Sequence, residues 1–577
     1  MVNFLVIVAD DLGYSDVGCF GGEIQTPNID RIAKDGLRFT DFHAAAACSP
    51  TRSMLFSGTD HHLTGLGQLV EFIQNSPAHQ GKPGHEGYLT DKVATLPEVL
   101  RENGNYYTLM SGKWHLGLKP EYAPCSRGFS KSFSLLPGCA NHYGWEPQLE
   151  FEQIPKFMRT ATAALHIEDD QYVDNDSLPS EFYSSDYYTD KLVSFLKERP
   201  KGKPFFAYMP YSAPHWPLQA PEENVQKYKG YYEDGPSALK QKRMQGLIDK
   251  GLVDPSVVPH PFVNTGTPEW DAMTPEQQAK SARSMEVYAG MVDRMDYNIG
   301  KIIQTLKEQG IYDDTVIVFM SDNGAEGASY EALPVIGEEV MKHIEQYYDN
   351  SLENIGRKNS FVWYGSMWAQ AATSPARLFK MYPTEGGCRV PFILKGASDL
   401  LPIEKGSICT EFCTVMDIMP TFLDLAQVPK PGPEFRGRQV LSMRGASWVP
   451  FFTQKQKRIH AEDHVTGWEL VGQAALRKGD WKIVFVAQPV GPEVWQLYDL
   501  SKDPGETNDL AKEYPEKVKE LVKHWEDYAQ ETGVVGLKPE LGTVVVKDEM
   551  EDPRKWMKYE SSSSIITELR KQKVASN

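Results

Sequence analysis

The sequence predicts an α/β protein with a large, mostly parallel central sheet flanked by helices and a small C-terminal antiparallel sheet with a helix. Short apolar runs alternate with helix-like segments from the N-terminus to about residue 430, which is typical of a doubly wound sheet. Near residue 455 this alternation gives way to hairpin-like patterns. At 577 residues the chain is long enough for a large enzyme domain with a smaller appended unit.

Four of the apolar runs end in polar residues of an unusual kind. They are residues 4–9 before Asp10 and Asp11, 106–110 before Lys113 and His115, 205–209 before His215, and 315–320 before Asp322 and Asn323. In an open α/β sheet the ligand crevice lies beyond the carboxyl ends of the strands. We therefore expect the four polar sets to converge on one site.

The remaining segments predict insertions around the crevice and a distinct C-terminal unit. Residues 120–300 are rich in Tyr, Trp, Pro and charge, and contain a helical pattern over about 277–308. Residues 474–485 indicate a hairpin, 496–500 another strand, and 515–528 an amphipathic helix. The expected units are a catalytic domain at 1–455, a small α+β subdomain at 456–536 and a charged C-terminal extension at 537–577.

Composition argues against several classes of partner. The chain has 60 Lys and Arg against 78 Asp and Glu, so its net charge of −18 disfavours nucleic acid and anionic membranes. The apolar run at residues 2–8 is broken by acidic residues and is interpreted as a strand, not a signal peptide, and no apolar run is long enough to span a membrane. Seven irregularly placed cysteines do not form a disulfide framework, and we expect a cytoplasmic location.

Residues 48–52, Cys-Ser-Pro-Thr-Arg, place a reactive-type thiol at a predicted helix start. Pro50 suits the first position of a helix, and Gly58 suits its end. Cys48 is then expected just before the positive end of the helix dipole, with Arg52 one turn inward. This environment favours a negative charge at position 48 and indicates a nucleophile near an anion-binding site.

Two acidic strand ends predict a metal site. Asp10 and Asp11 follow one strand, and Asp322 and Asn323 follow another, which makes an all-oxygen set with three carboxylates. Such a set suits Ca²⁺ or Mg²⁺ and lacks the sulfur or imidazole ligands that zinc prefers. Helix capping explains one acidic residue after a strand but explains two adjacent pairs poorly.

Cationic and imidazole side chains are expected around the same crevice. Lys113 and His115 alternate in an extended stretch and would point the same way, although a solvated lysine and a core histidine explain the isolated segment equally well. His215 lies between two prolines, which limit where a general acid or base can point. Lys380 precedes a Glu-Gly-Gly-Cys-Arg-Val-Pro turn and is interpreted as lining the site. Together with Arg52 and a metal ion, these lysines leave room for an anion.

These residues and motifs resemble those of the type I sulfatases in the alkaline phosphatase superfamily, with the soluble bacterial-type arylsulfatases looking closest. The matching segments are residues 3–13, 48–53, 112–117, 213–215 and 321–324, and the similarity runs to about residue 535. The resemblance implies the alkaline-phosphatase-like form of the predicted fold. It implies nothing about the C-terminal extension.

The resemblance also implies that Cys48 is not used as a thiol. In this family the Cys of a Cys-x-Pro-x-Arg motif is oxidised by a formylglycine-generating maturation enzyme to formylglycine (3-oxoalanine), whose hydrated gem-diol is the nucleophile. Cys48, Pro50 and Arg52 match the motif, while Thr51 stands where many relatives have Ser or Ala. The implied metal ligands around one Ca²⁺, which fits better than Mg²⁺, are Asp10, Asp11, the modified Cys48, Asp322 and Asn323.

Catalytic roles follow from the same resemblance, by matching positions. Arg52 and Lys113 would stabilise the ionised gem-diol, and His115 would hydrogen-bond its second hydroxyl and help expel sulfate. Lys380 would hold sulfate oxygens. His215 would protonate the leaving alcohol or phenol.

The sequence thus predicts an arylsulfatase-type sulfuric ester hydrolase acting on small aryl or alkyl sulfates. A phosphonate or phosphate ester hydrolase is the alternative within the superfamily, and an unmodified, noncatalytic protein that binds sulfate esters is another. A thiol hydrolase or phosphatase that pairs Cys48 with His115 is a further alternative, but it leaves the acidic metal set without a role.

Overall fold

The computed structural model describes residues 2–73, 76–145, 164–328, 337–397 and 400–536. The expected C-terminal extension, 537–577, lies outside the described residues. The strands are β1 Asn3–Ala9, β2 Leu37–Phe39, β3 Phe42–His43, β4 Tyr107–Lys113, β5 Lys131–Leu135, β6 His166–Glu168, β7 Gln171–Val173, β8 Phe205–Pro210, β9 Thr315–Ser321, β10 Phe392–Lys395, β11 Ser407–Cys409, β12 Cys413–Thr414, β13 Glu434–Phe435, β14 Arg438–Gln439, β15 Val465–Leu470, β16 Gln473–Lys478, β17 Trp481–Phe485 and β18 Trp495–Asp499.

Helices flank these strands along the described chain. They are α1 Pro27–Asp35, α2 Cys48–Ser57, α3 Val70–Ile73, α4 Leu96–Gly104, α5 Ser184–Glu198, α6 Glu222–Val225, α7 Gly235–Asp249, α8 Pro275–Glu308, α9 Gly337–Tyr347, α10 Ser366–Ala372, α11 Glu385–Cys388, α12 Ile418–Leu425, α13 Val449–Phe452 and α14 Pro515–Thr532. The long α8 begins with a capping box between Thr274 and Gln277, close to the predicted helix start. It packs against α1 and α5 on one face of the sheet.

In the described part of the chain, ten strands form a central sheet in the order β11-β2-β10-β9-β1-β8-β4-β5-β6-β7. The neighbours β9, β1, β8, β4 and β5 are all parallel, which confirms the predicted mostly parallel sheet. Antiparallel pairs occur where β10 joins β9 and β2, and at the far edge from β5 to β7.

The central strand β1 is buried on both faces. Leu5 and Ile7 belong to one hydrophobic core, whereas Phe4 and Val6 belong to the core on the opposite face. Because successive side chains of a strand point to opposite faces, a continuous apolar run fits a sheet covered by helices on both sides.

Strand register places the two acidic segments side by side. Ala9 of β1 pairs with Ser321 of β9, and Val8 pairs with Pro210 of β8. The three parallel strands therefore end at the same level, and Asp10 and Asp322 leave the sheet next to each other.

The C-terminal part of the described chain contains a second sheet. Strands β15 to β18 form an antiparallel meander, which confirms the predicted hairpin and the strand after it. Helix α14 covers the sheet with Leu521, Trp525 and Tyr528. The domain boundary near residue 455 stays a prediction. Within the described ranges, no helix combines the length and apolar character needed to cross a membrane.

Candidate active site

Helix α2 positions Cys48. Ala47 is the extended N-cap residue, so Cys48 is the first helical residue and Pro50 the third. This corrects the expectation that Pro50 begins the helix. Proline is tolerated at the third position because the N–H groups of the first turn have no intrahelical partners. The helix ends as predicted at Gly58, whose φ of 63° is left-handed and whose N–H donates to the Met54 carbonyl.

The Cys48 thiol lies in a buried cationic environment. Its Sγ is 3.1 Å from Nδ1 of His115. Burial alone raises the pKa of the thiol, but the charges of Lys113, His115 and Lys380 outweigh burial and lower the pKa to about 6. Position 48 therefore favours a negatively charged group.

The acidic strand ends meet next to Cys48 and are paired with cations. Asp322 Oδ2 accepts hydrogen bonds from Arg52 Nε at 3.0 Å and Nη2 at 2.7 Å. Lys113 Nζ lies 2.6 Å from Asp10 Oδ2, and Arg52 also donates to the Lys113 carbonyl. Since Lys113 is fully buried at the end of β4, it is not the solvated lysine that the sequence left open.

The buried oxygen atoms of the acidic set are suitable ligands for a hard cation. Asp10 Oδ1 and Asn323 Oδ1 are buried and, among the described residues, receive no hydrogen bond. Ligand atoms of Asp10, Cys48 and Asp322 lie within 4.8 Å of one another. Asn323 directs its amide nitrogen to Asp11 Oδ1 at 2.7 Å, which leaves its oxygen as a potential ligand. Buried carboxylate and amide oxygens without donors suit Ca²⁺ or Mg²⁺.

His215 and Lys380 both lie against Asp11. Lys380 Nζ donates to Asp11 Oδ2 at 3.0 Å and lies 3.3 Å from His215 Nε2. His215 Nδ1 is 2.7 Å from the Trp216 carbonyl, so Nδ1 carries a hydrogen and Nε2 accepts from Lys380. Burial, together with the charges of Lys380 and Lys113, lowers the pKa of His215.

The structure thus brings all the sequence-predicted residues together. Each of them is buried: Asp10, Asp11, Cys48, Arg52, Lys113, His115, His215, Asp322, Asn323 and Lys380. The cationic groups are interleaved with the carboxylates, so a small anion entering beside Cys48 meets several donors.

Two acidic residues of the site were missed by sequence reasoning. Glu326 Oε2 lies 3.0 Å from Lys380 Nζ, and Glu71 Oε1 lies 3.5 Å from His115 Nε2. Glu326 follows Asn323 closely in the same strand-end loop. This proximity along the chain could have indicated Glu326 as a residue of the site. Glu71 lies on the short helix α3 and has no such signal.

Comparison with known proteins identifies relatives over nearly the whole described chain. The family model "Sulfatase" matches residues 2–428, and the model "N-sulphoglucosamine sulphohydrolase, C-terminal" matches residues 378–531. An uncharacterized sulfatase of Schizosaccharomyces pombe is 51% identical over 92% of this chain and 94% of its own length. The arylsulfatase of Klebsiella aerogenes is 37% identical over 80% of this chain and 94% of its own.

A solved structure shares the fold. The crystal structure of Ps i-CgsB superposes with a TM-score of 0.64 at 24% identity, covering 94% of this chain and 96% of that chain. At this level of identity the likeness concerns the arrangement of strands and helices.

Proposed function

Because this chain belongs to the sulfatase family of the alkaline phosphatase superfamily and is a sulfuric ester hydrolase, we propose that it cleaves aryl or alkyl sulfate esters with a formylglycine nucleophile derived from Cys48. The observation that carries the proposal is the position of Cys48, which lies in the first turn of α2 between His115 and the acidic set. The Cys-x-Pro-x-Arg spacing supports it, because Arg52 faces the same site through Asp322.

The modification requires a partner. Conversion of the Cys48 side chain from CH₂–SH to an aldehyde is a two-electron oxidation with loss of the sulfur, so a formylglycine-generating maturation enzyme and an oxidant must supply it. Hydration of the aldehyde then gives two hydroxyls where the Sγ atom lies in the unmodified residue.

The surrounding residues are arranged to support attack by one of these hydroxyls. We assign Ca²⁺ to Asp10, Asp11, residue 48, Asp322 and Asn323, where its charge would polarise the ester and acidify the gem-diol. Lys113 and Arg52 stabilise the negative oxygen of residue 48. They pair with Asp10 and Asp322, and both of these carboxylates lie next to residue 48. Lys380 binds sulfate oxygens.

Proton transfers follow from the two histidines. When the ionised hydroxyl oxygen attacks sulfur and the ester S–O bond breaks, Lys380 gives its shared proton to His215 Nε2, and His215 delivers that proton to the leaving oxygen. His115 then removes the proton of the second hydroxyl, the aldehyde re-forms, and the bond from residue 48 to sulfate breaks. Sulfate leaves without a second attack on sulfur, and water hydrates the aldehyde again.

Matched nitrophenyl esters test the assignment of the substrate anion. We expect the matured protein to hydrolyse nitrophenyl sulfate faster than nitrophenyl phosphate, because a sulfate monoester carries one negative charge and a phosphate monoester nearly two beside three carboxylates. Steady-state kcat/KM on both esters measures the preference. Faster turnover of the phosphate would reverse the assignment in favour of a phosphate ester hydrolase.

Substitution of His215 tests its role as the acid. We expect His215→Ala to lower kcat/KM for an alkyl sulfate roughly 10²- to 10³-fold, because its leaving alcohol needs a proton, and to affect nitrophenyl sulfate least. A series of esters with leaving groups of increasing pKa measures the difference, with the parent protein as the reference slope. Equal losses across the series would remove His215 as the acid.

A further inference from the structure

The turn that carries Lys380 is held from outside the catalytic sheet. Lys482, on β17 of the C-terminal sheet, places Nζ 2.7 Å from Glu385 Oε1 and 2.9 Å from Glu506 Oε1. Glu385 is the first residue of α11 and lies in the segment 377–388, here called the turn that carries Lys380. The side chains of Lys482, Glu385 and Glu506 are all buried. The C-terminal sheet therefore reaches the catalytic turn through a buried ion-pair cluster.

Glu385 is held by further contacts that fix its orientation. Both of its carboxylate oxygens lie 3.0 Å from His43 Nε2, and its backbone N–H donates to Glu506 Oε2 at 3.2 Å. Removing one member of a buried ionic cluster leaves an uncompensated charge that must move or find another partner. Loss of Lys482 would therefore take from Glu385 and Glu506 the buried ammonium group that they share.

Short hydrogen bonds connect the residues next to Glu385 with the residues that precede Lys380. Gly386 N–H and Thr384 Oγ1 both donate to the Arg377 carbonyl, at 3.0 Å and 2.7 Å. Leu378 and Met381, on either side of Lys380, have φ values of 60° and 77°, a conformation that non-glycine residues keep only when their surroundings impose it.

The turn that carries Lys380 also contacts the loop that follows Asn323, a proposed metal ligand. Gly324, next to Asn323, donates its N–H to the Gly387 carbonyl at 2.9 Å. A Cβ atom on Gly324 would lie 1.8 Å from the Gly386 carbonyl oxygen, so the two backbones touch. Lys380 itself donates its N–H to the Ala325 carbonyl at 3.0 Å. Backbone hydrogen bonds therefore join the segment that carries Glu385 and Lys380 to the loop that follows Asn323.

We propose that Lys482 is a positioning residue for sulfate binding, acting through Glu385 on the turn that carries Lys380. The inference rests on the proposed role of Lys380 in holding sulfate oxygens. It gives the C-terminal sheet a part in the reaction beyond covering the catalytic domain, since a small displacement of a charged group in an active site lowers binding and rate strongly.

The test measures sulfate binding as well as turnover, because binding does not require Cys48 to be converted. Equilibrium dialysis with radiolabelled inorganic sulfate on the full-length protein is expected to show a Kd raised about 10-fold or more in Lys482→Met. Lys482→Arg, which keeps the charge, should recover part of the affinity. In matured protein the same variants should raise KM for nitrophenyl sulfate more than they lower kcat.

The matched control is Lys478→Met. Lys478 belongs to the neighbouring strand β16, is partly exposed and pairs with Glu520 on α14, away from the turn. We expect its sulfate Kd and KM to equal those of the parent. A purely structural role for Lys482 would reduce the number of binding sites per chain and leave Kd unchanged, which would overturn the inference.

A double variant separates the inference from its premise. In the Lys380→Ala background, Lys482→Met is expected to weaken sulfate binding no further, because both changes act on the same ammonium group. If Lys380→Ala binds sulfate like the parent, the proposed role of Lys380 is wrong and the inference falls with it. If Lys380→Ala weakens binding and Lys482→Met does not, only the positioning role is wrong.

Should Lys482→Met fail to fold, Glu385→Gln carries the same test with the shape of the side chain retained.

Discussion

Replacing Cys48 with alanine is expected to lower kcat for nitrophenyl sulfate on the order of 10⁴-fold or more. Alanine has no precursor of the aldehyde, so the attacking oxygen is lost while the cations and carboxylates stay in place. The smaller side chain fits the first turn of α2, and thermal unfolding should therefore show a folded protein.

The measurement pairs turnover with the mass of the peptide that contains residue 48. In the parent, the peptide should show the mass of CHO in place of CH₂–SH, and the fraction converted should scale with kcat. Cys125→Ala is the matched control, because Cys125 is a partly exposed cysteine outside the site and its loss should leave kcat unchanged. Activity of Cys48→Ala near that of the parent would contradict the role of residue 48.

A serine at position 48 gives a sharper outcome. Serine supplies one hydroxyl and lacks the second, so it can accept sulfate from the ester but has no hydroxyl whose collapse expels it. We expect Cys48→Ser to accumulate a sulfated peptide that mass spectrometry detects, with turnover that stops after the first event. Complete turnover without a sulfated species would argue that sulfate is released by attack of water on sulfur.

Removal of divalent cations is expected to lower kcat/KM for nitrophenyl sulfate roughly 10²- to 10⁴-fold. Asp10 Oδ1 and Asn323 Oδ1 are buried acceptors without donors in the described structure, and three carboxylates crowd the place where an anionic ester must bind. Dialysis against a chelator followed by titration with Ca²⁺ or Mg²⁺ measures the effect. We expect Ca²⁺ to restore activity at lower concentration than Mg²⁺.

A direct binding measurement keeps this prediction independent of turnover. Asp10→Asn retains the shape of the side chain and removes one charge, so calorimetric Ca²⁺ titration should show weaker binding. Asp254→Asn is the control, because Asp254 is an exposed carboxylate away from the site. Full activity after chelation would favour the thiol hydrolase alternative, in which Cys48 and His115 act without a metal.

Most of the candidate site follows from the sequence because parallel strands end at a common edge. The acidic pairs after β1 and β9, Lys113 at the end of β4 and His215 after β8 each follow an apolar run that is recognisable by itself. The sheet order β9-β1-β8-β4 then makes these ends neighbours. The position of Pro50 was predicted less well, because Ala47 takes the N-cap and moves Cys48 into the helix.

The sequence by itself determined the α/β class and indicated the acidic set and the Cys48 motif, since each rests on residues close together along the chain. Only the tertiary structure decided which distant groups complete the site. Glu71 reaches His115 from a short helix, and Lys482 reaches Glu385 across 97 positions from another sheet. Such contacts depend on how separate elements pack, and no local periodicity or spacing encodes them.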